Sequence, residues 1–306
     1  MNEPVNIPES TTEAVEVHAP PLLYEMIRSF TTLARTLNLS HAVTELNSTR
    51  QTVRRHIAQL EEMMGEPLFS IDDRRYHLTE AGNQTLPEAQ DILARCNVWM
   101  RGQVVHQNGM PQYKIEFPTG GDFYQQQKPL NSIWKSDRPL LAAALKAWTM
   151  ANGDLESPYF EALRPYVMVF RNSPNGWVCV ELGDESSYVS WFGLATARSS
   201  IGRVLGELPG GADFARLLSQ PFHDVERDRS VRVDHIYTQI PRGPDQDPVQ
   251  ICYARLLLGC SFPDGSFALV SVVDRHNEIE ISDTPGRQMP ADLVMNVDTI
   301  SLNQKH

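Results

Sequence analysis

Apolar residues recur every three to four positions through the first hundred residues and every second position after Tyr166. A chain with that switch must fold as two differently built parts. Leu23, Met26, Ile27, Phe30, Leu33, Ala34 and Leu37 form one helical stripe within residues 22–37. Ser40 is read as the N-cap of a short helix holding Ala42, Val43 and Leu46, which Asn47-Ser48 breaks. A third helix is expected over residues 49–64, burying Val53, Ile57, Leu60 and Met64 and ended by Gly65. Residues 68–71 and 76–78 read as short strands around the polar turn Asp72-Asp73-Arg74-Arg75. Thr79 can cap a further helix to Trp99, which Pro87 must either kink or begin.

In the second part, a helix is predicted over 139–152, with Leu140, Leu141, Ala144, Leu145 and Trp148 on one face. Strands follow at 166–171 and 177–182, on either side of Ser173-Pro174-Asn175-Gly176. Short helical pieces between 187 and 225 precede strands at 231–240, 249–258 and 267–273. The class is α+β. The expected organisation is a flexible acidic arm at 1–21, helices and wing at 22–101, a connection at 102–136, a sheet domain at 137–281 and a polar, loosely held tail at 282–306. Within the connection, residues 102–122 have scattered Gly and Pro and no clear period.

With 41% hydrophobic and 21% charged residues, the 306-residue chain has ordinary globular proportions. No apolar run reaches the ~18–20 residues that span a bilayer, so no membrane partner is expected. The first 21 residues carry Glu3, Glu9, Glu13 and Glu16 and no Lys or Arg, the reverse of a signal peptide's basic start. Cys96, Cys179, Cys252 and Cys260 are too scattered for a disulfide framework, which fits a reduced cytoplasm. No GxSxG, GxxxxGK[ST] or HExxH occurs, so the chain is not read as an enzyme. A net charge of −11 argues against a basic coat and leaves room for one local basic surface.

That surface is the run Ser48–Leu60, STRQTVRRHIAQL, which holds Arg50, Arg54, Arg55 and His56 and no carboxylate. With its apolar positions inward, Arg50, Gln51, Arg54 and Arg55 face outward, and Thr49 and Thr52 sit near the N-terminal end. Arg can grip guanine bidentately, Gln adenine, and Thr a thymine methyl or a phosphate. The free N–H groups of the helix start favour phosphate. By itself the run is either a reader of double-stranded DNA or the basic solvated face of a helical bundle, and the flanking residues decide between them.

Spacing extends the pattern: Phe30, Leu39-Ser40-His41-Ala42-Val43, Leu46, Val53, Ile57, Leu60-Glu61, Gly65, Leu68-Phe69, Leu78-Thr79-Glu80-Ala81-Gly82 and Leu86-Pro87. Over residues 22–95 this resembles the LysR-type transcriptional regulators, without a gap. The resemblance implies a winged helix-turn-helix, a DNA-contacting set of Ser40, Thr49, Arg50, Gln51, Thr52, Arg54 and Arg55, and a linker helix that pairs two subunits into a homodimer. Leu86, Ile92, Leu93 and Cys96 would line that helix's pairing stripe. The family usually carries Arg two residues after the Leu-Phe pair, where this chain has Ile71. Arg74 and Arg75 on the wing are the candidates to replace it.

The resemblance ends near residue 100, because the rest lacks the alternating strands and helices of that family's effector domain. Residues 163–276 resemble a PAS domain instead. The motifs are the strand pair at 166–171 and 177–182, Ile201-Gly202-Arg203-Val204-Leu205-Gly206-Glu207-Leu208, Arg255-Leu256-Leu257-Leu258, and Pro263-Asp264-Gly265 leading into 268–274. The resemblance implies a five-stranded antiparallel sheet around a small cavity, which either senses a small-molecule effector or only dimerises or docks a protein. No cofactor is specified by the sequence. His235 is either an inward ligand, as to haem, or a hydrogen-bonded core residue. Cys252 and Cys260 are either redox-sensitive or small buried hydrophobes.

Overall fold

The computed structural model describes residues 20–73, 75–116, 121–173, 176–209, 211–242 and 246–297. They form two compact units divided between Asn97 and Val98. Nearly all of the expected N-terminal arm, the tail beyond Val297 and Arg74 lie outside the described residues.

The first unit begins with helices α1 (Leu23–Thr36), α2 (Leu39–Glu45) and α3 (Arg50–Met64). Asn38, not Ser40, caps α2: its side chain accepts from the amides of Ser40 (2.9 Å) and His41 (3.2 Å). An Asn one residue outside the helix reaches the second and third amides, which leaves Ser40 inside the first turn. Thr49 caps α3 by accepting from Thr52 N at 3.1 Å, and Gly65 ends it at φ 78°. Phe30, Leu33, Ala42, Val53 and Leu68 form a fully buried centre. Met64 does not join them; it is 41% exposed in the helix's last turn.

The wing is β1 (Phe69–Asp72) paired antiparallel with β2 (Arg75–Leu78), Phe69 opposite Leu78. Glu61 fixes its start by accepting from the amides of Leu68 (2.8 Å) and Phe69 (3.1 Å). Then α4 (Glu80–Met100) runs unbroken past Pro87. Thr79 joins wing to helix, its hydroxyl donating to Pro67 O at 2.6 Å and accepting from Gly82 N at 3.0 Å. A Cβ on Gly82 would lie 2.2 Å from Leu68 O, so only glycine lets the helix start so close to the wing.

The second unit is built on one antiparallel sheet of eight strands, not five. Its strands are β3 (Val104–Gln107), β4 (Met110–Glu116), β5 (Asp122–Lys128), β6 (Val167–Ser173), β7 (Gly176–Leu182), β8 (Val231–Ile240), β9 (Val249–Ser261) and β10 (Phe267–Arg275). They lie in the order β3-β4-β5-β8-β9-β10-β6-β7. The three extra strands occupy the segment read as a connection. They escape a hydrophobic pattern because glutamines fill buried positions: Gln112, Gln125 and Gln126 are all buried. Each finds a partner, Ser282 O at 2.7 Å, Asp234 Oδ1 at 3.1 Å and Ser282 Oγ at 3.1 Å respectively. The turn between β3 and β4 is Asn108-Gly109, both at positive φ (53° and 78°), the pairing that tight hairpins select.

Successive residues of the central strands feed opposite cores. Leu256, Leu258, Val270 and Val272 pack with helix α5 (Pro139–Ala151), while Leu257 and Leu269 pack with Phe222 of α8 (Gly211–Asp228). Helices α6 (Ser187–Phe192) and α7 (Leu194–Ser200) precede α8 in the β7–β8 connection. Residues 282–297 are not a loose tail: Met289, Leu293 and Met295 are buried, and Arg287 grips Asp122 at 2.5 and 2.6 Å. Few but well-spaced apolar residues suffice to hold a segment without regular structure.

Candidate nucleic-acid interface

The start of α3 presents its polar side in two rows. Arg50 and Arg54 are four residues apart, as are Gln51 and Arg55, so each pair stacks along the helix surface. All four are exposed, and Val53, Ile57 and Leu60 anchor the opposite side in the core. Among the described residues, no carboxylate pairs with Arg50, Arg54 or Arg55. Two like charges at this spacing repel by a few tenths of a kcal/mol. An uncompensated cationic row of this kind suits a polyanion. Arg50 is steadied by donating to Ser40 Oγ at 2.8 Å, which brings α2's first turn beside the row. Thr49 and Thr52 are tied to each other, hydroxyl to hydroxyl, at 2.9 Å.

His56 does not join the exposed charges. It is buried, with Nδ1 2.9 Å from Ser29 Oγ, and locks α3 to α1. On the wing, Arg75 is exposed directly opposite Asp72, and Ile71 is 63% exposed. Three helices and a two-stranded wing, with an Arg-rich capped helix outward, define a winged helix-turn-helix.

In the second unit, His235 is half-buried beside Val233 and Tyr237, with Nδ1 3.1 Å from Glu280 O and 3.2 Å from Glu280 N. Burial, reinforced by the Lys128 charge, pushes its pKa down to about 4. His276 is buried and accepts from Glu278 N at 3.2 Å; burial and then the Arg138 charge bring it to about 4. Cys252 donates to Arg287 O at 3.6 Å, and burial raises its thiol to about 11. Burial raises Cys260 to about 12. Such thiols stay protonated at neutral pH and react slowly.

The two histidines give a pH dependence. Unfolded, each titrates near 6.5; folded, near 4. Between those values the unfolded chain binds more protons, so stability falls as pH drops from about 6.5 to 4. The slope is up to about 1.4 kcal/mol per pH unit for each histidine. Denaturant unfolding across this range should record it, and His276→Asn should halve it. A flat profile would contradict the buried, neutral assignment.

Sequence reasoning overlooked a charged network inside the sheet. Asp234 is fully buried. Its Oδ1 accepts from Arg232 Nε (2.9 Å) and Gln125 Nε2 (3.1 Å), and its Oδ2 from Arg255 Nη2 (2.9 Å). Arg232 Nη1 also donates to Asp224 Oδ2 at 2.9 Å. Burial alone would raise the Asp234 carboxyl, but the Arg232 and Arg255 charges overcome it and hold the group below the usual range. The available signal was the placement of charges within otherwise apolar strands, Val231-Arg232-Val233-Asp234 and Tyr253-Ala254-Arg255-Leu256.

Residues 24–83 match the family described as bacterial regulatory helix-turn-helix protein, lysR family. The match lies within the first unit and covers its first three helices and its wing. The uncharacterized HTH-type transcriptional regulator YnfL of Escherichia coli (strain K12) is 26% identical over 114 residues, 37% of this chain and 38% of that protein. The HTH-type transcriptional regulator HdfR of Salmonella newport (strain SL254) is 27% identical over 121 residues, 36% of this chain and 42% of that protein. The chain spans about two-fifths of the length of these curated relatives. A solved LysR-family transcriptional regulator from Eggerthella lenta DSM 2243 is 39% identical, covering 22% of this chain and 93% of that one, at a TM-score of 0.20.

Proposed function

We propose that the chain is a cytoplasmic, homodimeric, DNA-binding transcriptional regulator whose second unit is a PAS-like sensor. The observation that carries the DNA-binding reading is the exposed face of the carboxylate-free part of α3 up to Leu60, within the matched helix-turn-helix. In this reading Arg50, Gln51, Arg54 and Arg55 enter the major groove, and Thr49, Thr52 and Ser40 meet its phosphate edge. Arg75 reaches an adjacent phosphate, as would Arg74. Pairing along α4 gives the dimer: Leu86, Ile92 and Leu93 are only partly covered by the first unit's own core, Cys96 is partly exposed, and Trp99 is 73% exposed.

Support for the PAS-like reading comes from the five strands expected from the sequence. They are contiguous in the sheet as β8-β9-β10-β6-β7, with helices α6–α8 filling the β7–β8 connection. A cavity of about 110 Å³ between α6, α8 and the sheet favours sensing over docking alone. Among the described residues, no helix is long and apolar enough to cross a membrane.

The test is selection of duplexes from a random-sequence pool by the full chain. A partly palindromic site should emerge, with half-sites about one helical turn (~34–36 Å) or a multiple apart. Recovery of duplexes with no common sequence would overturn the regulator reading.

A further inference from the structure

We propose that the cavity on the α6–α8 side of the second unit's sheet binds a small monocarboxylic acid with an apolar body, its carboxylate seated on Arg255. This deepens, and rests on, the sensory reading of that unit.

Arg255 lies mid-strand in β9 and is only 2% exposed, yet it lines the cavity. Its Nη2 donates to Asp234, while among the described residues Nε and Nη1 have no partner. Asp234 cannot serve them, because its Oδ1 is already shared by Arg232 and Gln125. Unpaired N–H groups of a buried guanidinium are costly and call for an acceptor. Trp191, on the same cavity, carries a buried Nε1 that also has no partner among the described residues. The unpaired groups here are thus all donors, and the group that answers a donor-only set around a cation is an acceptor-only anion. Carboxylate fits this description.

The rest of the wall is mostly apolar, with Met168, Phe170, Phe222 and Val273 beside the hydroxyl-bearing Ser187, Tyr188, Tyr253 and Ser271. Phe222 faces the guanidinium, with Arg255 Cζ 5.8 Å from its ring centroid. A space of about 110 Å³ suits a body the size of one aromatic ring or a short alkyl chain. It is too small to enclose a nucleotide or a tetrapyrrole. The charge at one end and the apolar body at the other select an amphiphilic acid over a sugar or an amino acid.

The test is titration of the full chain with benzoate and hexanoate, against their uncharged counterparts benzamide and hexanamide. Tryptophan fluorescence and the thermal midpoint serve as readouts. At least one acid should bind saturably, and its amide should bind at least ~10-fold more weakly. Arg255→Met should erase that preference. Because that change also removes a partner of Asp234, Ser271→Leu is the second variant. It fills the cavity from β10 without touching the charged network, and binding should vanish. Neither acid binding, acid and amide binding equally, or unchanged binding in Ser271→Leu would overturn the assignment, with water then satisfying Arg255. Operator affinity is measured separately. An acid that binds without altering it removes the sensory reading and leaves the site standing. A different compound that alters it, with no acid binding, does the reverse.

Discussion

Replacing Arg54 and Arg55 together with alanine is expected to weaken binding to the preferred operator by about 30- to 10⁴-fold. The range follows from two side chains each worth about 1–3 kcal/mol when they contact bases. If one of them meets phosphate alone, its share of the loss should be equal on all sequences. The salt dependence should then fall by about one unit. The fold should be indifferent, because both residues are exposed and unpaired by any described carboxylate, and such surface changes stay within about 0.5 kcal/mol. Arg50 is different. Its bond to Ser40 Oγ means that Ser40→Ala should loosen the arginine and reproduce part of the Arg50→Ala loss. Measurement of operator affinity at two salt concentrations, beside thermal unfolding, separates these effects. Binding unchanged in the Arg54/Arg55 double variant would remove α3 from the groove.

The first unit was legible in the sequence because its rules are local. A 3.6-residue period, a Thr cap, a Gly stop and a Thr start place α1, α3 and α4 within a residue or two. The errors there were Met64, expected in the core but 41% exposed, and Ser40, where two nearby polar residues compete for one cap and Asn38 wins. The second unit was legible only where its strands obey alternation. Strands β8, β9 and β10 are found where apolar residues predict them, though the last two run two to three residues further. Strands β4 and β5 were missed because several of their inward positions are glutamines, whose burial depends on partners such as Asp234 and Ser282, more than 100 residues away. The Asn108-Gly109 turn was the one local clue. The charged network was missed for the same reason. An arginine within an apolar strand reads as an edge or an exposed face until its distant carboxylate is known.

Asp234→Ala is expected to destabilise the second unit by about 3–5 kcal/mol, the loss typical when one partner of a buried ion pair is removed. The reason is what remains, since Arg232 and Arg255 are 4% and 2% exposed and would keep their charges without the carboxylate between them. Asp224 would still hold Arg232 Nη1, but the Arg255 guanidinium would lose its one hydrogen bond to the described residues. Asp234→Asn keeps the volume and one acceptor oxygen, so it should cost less than alanine while still losing the charge. The native carboxyl is held below its ordinary range, so its contribution is complete above the unfolded value of about 3.9. It is lost only as pH falls through the lower folded value. The wild-type advantage over Asp234→Asn should therefore be constant at neutral pH and shrink only in strong acid, well below the range in which the histidines act. Tryptophan fluorescence suits the measurement because all five tryptophans, at 99, 134, 148, 177 and 191, lie beyond the first unit. Guanidinium titrations at pH 7.5 should move to a lower midpoint in both variants, with operator affinity of the first unit as the control. A shift of less than about 1 kcal/mol in Asp234→Ala would mean that water reaches the two arginines. The unpaired N–H groups of Arg255 would then be hydrated, and the case for an anion beside them would fall as well.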